Sequence, residues 1–163
     1  MRPPPRVMPA IVTPFTASGA IDAVAHRNNV AGLWGRGIHG VVIGGSNGEG
    51  PYLEPGERTA LAAGARAAAP DGFVMVGLAA ESLRTALAQA GEAAEAGADA
   101  VLAMTPTTLV RHRPDLVEGF FSDLADAAPL PVFLYSVPKV TAYELPLDVA
   151  IRLSPTRQIC GPP

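Results

Sequence analysis

The sequence predicts an α/β protein built on parallel strands, and three observations carry that reading. Short apolar runs recur at Val7–Val12, Gly40–Ile43, Phe73–Leu78, Ala100–Met104 and Val132–Tyr135, with a weaker sixth at Gln158–Cys160. Segments with helical periodicity separate them, so the order is βα repeated five times before a sixth strand begins. The runs are continuously apolar, as strands are when both faces are covered.

Each element follows from local chemistry. Asp22 caps a helix that runs through Val30, Leu33 and Trp34. Another extends from about Pro55 to Ala69, an Ala-rich stretch with ordinary helix propensity. Ser82 caps a third, with Leu83, Ala86, Leu87, Ala90 and Ala94 on its apolar side and Gly97 as its C′ residue. Pro114 opens a fourth at its first helical position, presenting Leu116, Val117, Phe120, Phe121 and Leu124. A shorter helix follows Pro146. A repeat of roughly 25–35 residues per βα unit suits a barrel and a doubly wound sheet equally. Periodicity alone leaves both open.

Composition narrows the function. A chain of 163 residues with 48% hydrophobic and 17% charged residues has the makings of one compact domain. A net charge of −3 does not point to nucleic acid or to an anionic membrane. No apolar stretch approaches the roughly 18 residues of a membrane span. His26, His39 and His112 are scattered and Cys160 is the only cysteine, so neither a zinc site nor a disulfide framework can be assembled. The expectation is no metal and no cofactor, in a reducing, cytoplasmic setting. Residues 1–6, proline-rich and without a signal peptide's apolar region, read as a flexible lead into the first strand.

Two strand ends carry the candidate chemistry. Val41-Val42-Ile43 breaks into Gly44-Gly45-Ser46-Asn47-Gly48-Glu49. Glycine lets backbone and ligand approach closely, while Ser46 and Asn47 add a hydroxyl, an amide and their own N–H groups, a set suited to a carboxylate. The loop lacks the GK[ST] ending of a phosphate-binding loop and the GxGxxG of a dinucleotide site. It also reads as a tight turn made of the residues turns use. Val132-Phe133-Leu134-Tyr135 ends in Ser136-Val137-Pro138. Tyr135 there is either a proton shuttle at the rim of a site or a packing tyrosine with a bonded hydroxyl.

Taken together, these segments resemble the dihydrodipicolinate synthase / N-acetylneuraminate lyase superfamily of Schiff-base class I aldolases. The likeness runs through Ala10-Ile11-Val12-Thr13-Pro14-Phe15, the Gly45–Glu49 loop, Leu53 through Arg58, Glu81-Ser82, Ala96–Ala100, Thr105-Pro106 and Pro131–Pro138. Ser46-Asn47 and Tyr135-Ser136-Val137-Pro138 look most like its 4-hydroxy-2-oxoglutarate aldolase branch. The resemblance implies a (β/α)8 TIM barrel with its site at the C-terminal ends of the strands. A lysine on the sixth strand would attack the carbonyl of pyruvate or another 2-oxo acid to form an imine that activates the adjacent C–C bond. Gly45, Ser46 and Asn47 match the substrate-carboxylate loop. Ser46 and Tyr135 match the catalytic proton relay, and relatives assemble as homo-oligomers.

The chain also departs from that pattern. Ile159-Cys160-Gly161 matches the start of the sixth strand, and Pro162-Pro163 stands where the lysine belongs. The only lysine is Lys139, read as a solvated loop residue past Pro138 and a poor nucleophile at an ordinary pKa. Thr107-Thr108-Leu109 replaces the tyrosine pair that relatives often carry, and Val140 replaces a polar reader of the second substrate. Arg111 and Arg113 are candidate carboxylate cations or, alternatively, a solvated loop that begins a helix. The expectation is one partial barrel domain spanning residues 1–163, truncated to five βα units and the start of a sixth strand. Its open edges would favour self-association, and alone it would be inactive, or act as a non-catalytic 2-oxo-acid-binding or assembly partner.

Overall fold

Strand order separates a barrel wall from a doubly wound sheet, because the latter reverses at a switch point. In a computed structural model of the chain, which describes residues 3–110, 112–156 and 158–160, there is no reversal. The elements are α1 (Ala23–Trp34), β1 (Gly40–Ile43), α2 (Glu57–Ala68), β2 (Phe73–Leu78), α3 (Leu83–Glu95), β3 (Ala100–Met104), α4 (Pro114–Ala127), β4 (Val132–Tyr135), α5 (Pro138–Thr141), α6 (Leu147–Leu153) and β5 (Ile159–Cys160). The five strands lie side by side in chain order, all parallel. Helices connect them, so the sheet is a sector of a (β/α) barrel wall.

The first expected strand is the main correction. Residues 7–12 form no ladder, only a single parallel bridge from Ala10 to Val42. Val42 N–H donates to Pro9 O (2.9 Å) and Ile11 N–H donates to Val42 O (3.1 Å). Pro9 has no N–H to extend the pairing, and Val7 and Val12 are 63% and 58% exposed. Of the expected flexible lead, Met1 and Arg2 lie outside the described residues, and the Pro5 ring sits close over Gly40. Gly161, Pro162 and Pro163 are also outside them.

Side-chain parity gives the sheet two unequal faces. Val41, Ile43, Val74, Val76, Val101, Ala103 and Val132 meet the helices in the main core, with Leu61, Ala65, Ala90, Val117, Phe121 and Leu124. Val42, Phe73, Met75 and Ala100 point the other way into a smaller cluster, finished by half-buried Met8, Leu102 and Phe133. That smaller face is the barrel's inner lining, and here it is only partly covered.

The caps fall where expected. Asp22 Oδ1 accepts from the N–H groups of Val24 and Ala25, Ser82 Oγ accepts from Thr85 N–H, and Gly97 takes φ +83° beyond α3. Leu116 was expected on the apolar side of α4 but is 43% exposed, the buried stripe being Val117, Phe121, Leu124 and Ala125. The Ala96–Ala100 segment is stitched down by Asp99, whose Oδ2 accepts from Val74 N–H (2.8 Å) and from Arg66 Nη2 (2.5 Å). Among the described residues no helix is long and apolar enough to cross a membrane.

Candidate active site

Parity decides what reaches the inner face at the C-terminal ends of the strands. Continuing the inner sets 42, 73/75, 100/102 and 133 by two residues gives Gly44, Gly77, Met104 and Tyr135. These four do line one cleft, together with Gly45, Ser46, Pro51, Leu78, Ala79 and Leu102. Ser46 and Tyr135, far apart in sequence, are therefore brought to one place. Tyr135 is half-buried and Ser46 is exposed. Among the described residues no hydrogen bond joins their hydroxyls. Asn47 is exposed and is not part of the cleft lining, so it is the one loop candidate that the fold does not bring in.

The loop after β1 is two short 3-10 turns, Ser46–Gly48 and Gly50–Tyr52, hinged at Glu49 in the left-handed region (φ 55°). Gly48 and Gly50 N–H both donate to Gly45 O. The N–H groups of Ser46 and Asn47, at the start of the first turn, find no acceptor among the described residues. Buried Thr13 anchors the loop from the opening segment, its Oγ1 donating to Gly48 O at 2.7 Å. Gly77 permits β2 to press against the loop: a Cβ there would meet Gly44 O at 2.6 Å. Gly44 itself sits at φ +62°, where a side chain would be strained.

Two participants were not singled out by sequence reasoning. Arg58, in the first turn of α2, is buried and runs behind the cleft, donating from Nη1 to Gly77 O (2.5 Å) and more weakly to Gly44 O (3.5 Å), and from Nη2 to Gly50 O (2.7 Å). Burial pulls its pKa below the ordinary arginine value, only partly offset by the attraction of Glu92. Glu81, in the loop after β2, accepts from Thr107 N–H (2.9 Å), Thr107 Oγ1 (2.7 Å) and Thr108 N–H (2.8 Å), tying down the loop after β3. Partial burial pushes the Glu81 carboxyl upward, but the bonds from Thr107 and Thr108 outweigh it and hold the group below its usual range. Both residues fell inside segments that carried the resemblance; no local pattern marks either for a site.

The remaining candidates lie elsewhere. Lys139, expected in a loop, is on the single helical turn α5, exposed and outside the cleft lining, because Pro138 starts a turn that Thr141 closes with its Oγ1 to Val137 O (3.2 Å). Ser136 Oγ accepts from Leu145 N–H (3.2 Å) and so braces the chain after Tyr135. Arg113 is held by an exposed ion pair to Asp115 (2.7 Å), the solvated-loop alternative; Arg111 lies outside the described residues. Val140 is exposed. Among the described residues no three His, Cys, Asp or Glu side chains are grouped to share a metal ion. What the cleft offers is unpaired N–H groups and two hydroxyls at the end of a partly covered apolar barrel lining.

Comparison with known proteins gives the family. Residues 3–162 match the model of the dihydrodipicolinate synthetase family. The chain is 36% identical over 150 residues to 4-hydroxy-tetrahydrodipicolinate synthase 1 of Streptomyces coelicolor, covering 91% of this chain and 49% of the relative. It is 37% identical over 148 residues to the 4-hydroxy-tetrahydrodipicolinate synthase of Methanothrix thermoacetophila, covering 91% and 50%. Among solved structures, a chloride-inhibited dihydrodipicolinate synthase of Acinetobacter baumannii complexed with pyruvate superposes with a TM-score of 0.90 at 30% identity, over 94% of this chain and 53% of that one. The chain thus spans about half the length of the curated relatives it matches. With a match along nearly its whole length, strands in barrel order and the glycine loop opposite Tyr135, the chain belongs to the dihydrodipicolinate synthetase family.

Proposed function

We propose that this chain carries the 2-oxo-acid-binding and proton-handling part of a Schiff-base aldolase site, with pyruvate or a close analogue as its ligand. The observation that carries the reading is the meeting of Ser46 and Tyr135 in one cleft at the strand ends. In this reading the N–H groups of the Gly45–Asn47 turn and the Ser46 hydroxyl hold the carboxylate. Asn47, exposed and outside the cleft lining, contributes only its backbone N–H. Tyr135 donates and accepts the proton at the carbonyl carbon's substituents, and Ser46 passes it onward.

The covalent step needs an amine. Imine formation joins a lysine Nζ to the ligand's carbonyl carbon and expels water, and the protonated imine then draws electrons from the neighbouring C–C bond. The single lysine of residues 1–163, Lys139, is exposed on α5 and outside the cleft. The chain by itself therefore binds a 2-oxo acid without forming an imine, and an amine from outside these residues completes the aldol chemistry. The same observation favours, as a second reading, a non-catalytic 2-oxo-acid-binding or assembly partner. In both readings residues 1–163 act as one partial barrel unit, cytoplasmic, that associates with further copies or with the rest of a barrel through its open edges.

Borohydride reduction in the presence of pyruvate, followed by intact mass, tests this. The expected result is saturable pyruvate binding with no covalent adduct. An adduct mapping to Lys139 overturns the reading, and so does the absence of any pyruvate binding. If adding a complementary barrel half that carries a lysine restores an adduct, the aldolase reading is favoured over the purely binding one.

A further inference from the structure

Arg58 occupies a place that is unfavourable for a cation twice over. It stands in the first turn of α2, at the positive end of the helix dipole. It is also 6% exposed, and among the described residues no carboxylate lies within ion-pairing distance. Glu92, exposed on α3, supplies only a longer-range attraction. Its partners are instead three neutral carbonyls, those of Gly44, Gly50 and Gly77.

All three carbonyls belong to glycines, which close approach requires: an added Cβ would crowd the guanidinium at Gly44 and the Gly44 backbone at Gly50 and Gly77. A Cβ at Gly44 would meet Arg58 Nη1 at 2.8 Å, and one at Gly77 would meet Gly44 O at 2.6 Å. The planar fork of an arginine can reach several acceptors at once in fixed directions; an ammonium cannot hold the same set. Behind the wall formed by Gly44 and Gly77 therefore sits a positive charge with no ion-pair partner among the described residues, and in front of it lies a cleft none of whose lining residues is basic.

We infer that Arg58 is the positioning residue of the carboxylate site: its guanidinium holds the Gly44–Ser46 turn and the Gly77 backbone together, and its unpaired charge makes the cleft selective for an anion. It acts through the peptide groups and touches no ligand. In a low-dielectric surround a charge one peptide layer away still favours a carboxylate over a neutral ester. The inference rests on the proposed 2-oxo acid site and adds the source of its charge preference.

The test compares pyruvate with methyl pyruvate, its uncharged ester, titrated into the chain and followed at the Gly45 and Ser46 amide resonances. For the unsubstituted chain the expected order is pyruvate tighter than the ester by tenfold or more. Arg58→Met should weaken both ligands through the loosened turn but pyruvate at least tenfold more than the ester, so the preference collapses; Arg58→Lys, which keeps the charge, should retain the preference at lower affinity for both. A merely structural Arg58 would lower both ligands alike, and that outcome overturns the inference. Should Arg58→Met fail to fold, Arg58→Gln, which keeps donors for the carbonyls without charge, carries the same comparison. Binding of pyruvate by the unsubstituted chain with the preference intact in Arg58→Met or Arg58→Gln sinks this inference alone. No pyruvate binding by the unsubstituted chain removes the site itself, and the inference with it.

Discussion

Thr13 Oγ1 donates to the Gly48 carbonyl at 2.7 Å, across the junction between the opening segment and the glycine loop. Both residues are buried, and a Cβ on Gly48 would meet Ile11 O at 2.9 Å, so the two backbones are in close contact. Because residues 7–12 hold β1 by a single bridge, this bond is a main tie between that segment and the site. Thr13→Val keeps the shape and removes the donor, leaving a buried carbonyl unsatisfied, which costs about 1–3 kcal/mol. A thermal melt should show Tm falling by about 2–4 °C per kcal/mol lost, and the Gly48 and Glu49 amides should exchange faster. An unchanged melt would show that the loop is held by its own turns.

The contact between β2 and the loop predicts opposite outcomes for two glycines. Gly77→Ala places a methyl 2.6 Å from Gly44 O and 3.1 Å from Gly45 N, so backbone must move; overpacking of this kind costs about 1–3 kcal/mol. Gly91, inside α3, has nothing within 4 Å of its added Cβ, and Gly91→Ala should stabilise by up to about 1 kcal/mol through helix propensity. Urea denaturation of both variants checks the pair. Equal midpoints would contradict the packing argument.

Glu81 links the site's outer loops to pH. Its carboxyl is held below the ordinary value of 4.5, so the clamp on Thr107 and Thr108 is complete above that pH and is lost as pH falls through the lower folded-state value. Amide chemical shifts of Thr107 and Thr108 followed from neutral to acid pH should titrate together, with a midpoint under 4.5. Glu81→Gln should abolish that titration and move both amides toward their acid positions already at neutral pH. A midpoint above 4.5 would mean that burial, not hydrogen bonding, dominates this carboxyl.

His26 gives the fold a second pH window. It is 1% exposed between α1 and α2, and Nε2 lies 2.8 Å from Leu61 O. A carbonyl can only accept, so Nε2 carries the proton and Nδ1 is left buried without a partner among the described residues. Burial lowers its pKa from 6.5, the Leu61 bond opposes this in part, and Arg27 adds to the lowering. The unfolded chain therefore takes up a proton before the folded one does. Stability from neutral His26 is complete above 6.5 and declines below it, with a slope of at most about 1.4 kcal/mol per pH unit. Denaturation at pH 7.5 and 5.5 should show that loss in the wild-type chain. His26→Gln should be less stable at pH 7.5 and nearly flat between the two.

Local chemistry was enough to determine the helix starts at Asp22, Ser82 and Pro114, the five strand runs from Gly40 onward and their parallel alternation, while the link between the glycine-rich loop and Tyr135 was implied only by the family resemblance. Capping, proline stereochemistry and continuous apolar runs each act within a few residues, so they are written in the order of the chain. Tertiary structure decided the rest. Strand order, and with it barrel over doubly wound sheet, depends on which runs pair, and periodicity is blind to that. Residues 7–12 read as a strand by composition, yet pair through Ala10 alone, since Pro9 withholds a donor. Ser46 enters the cleft and Asn47 does not, because the first 3-10 turn rotates consecutive residues apart. Arg58 entered the sequence reading only as the end of a segment that resembles the family. It became a buried cation only when β1, its loop and β2 brought the carbonyls of Gly44, Gly50 and Gly77 around it. Acceptors drawn from three separated segments leave no local spacing to read.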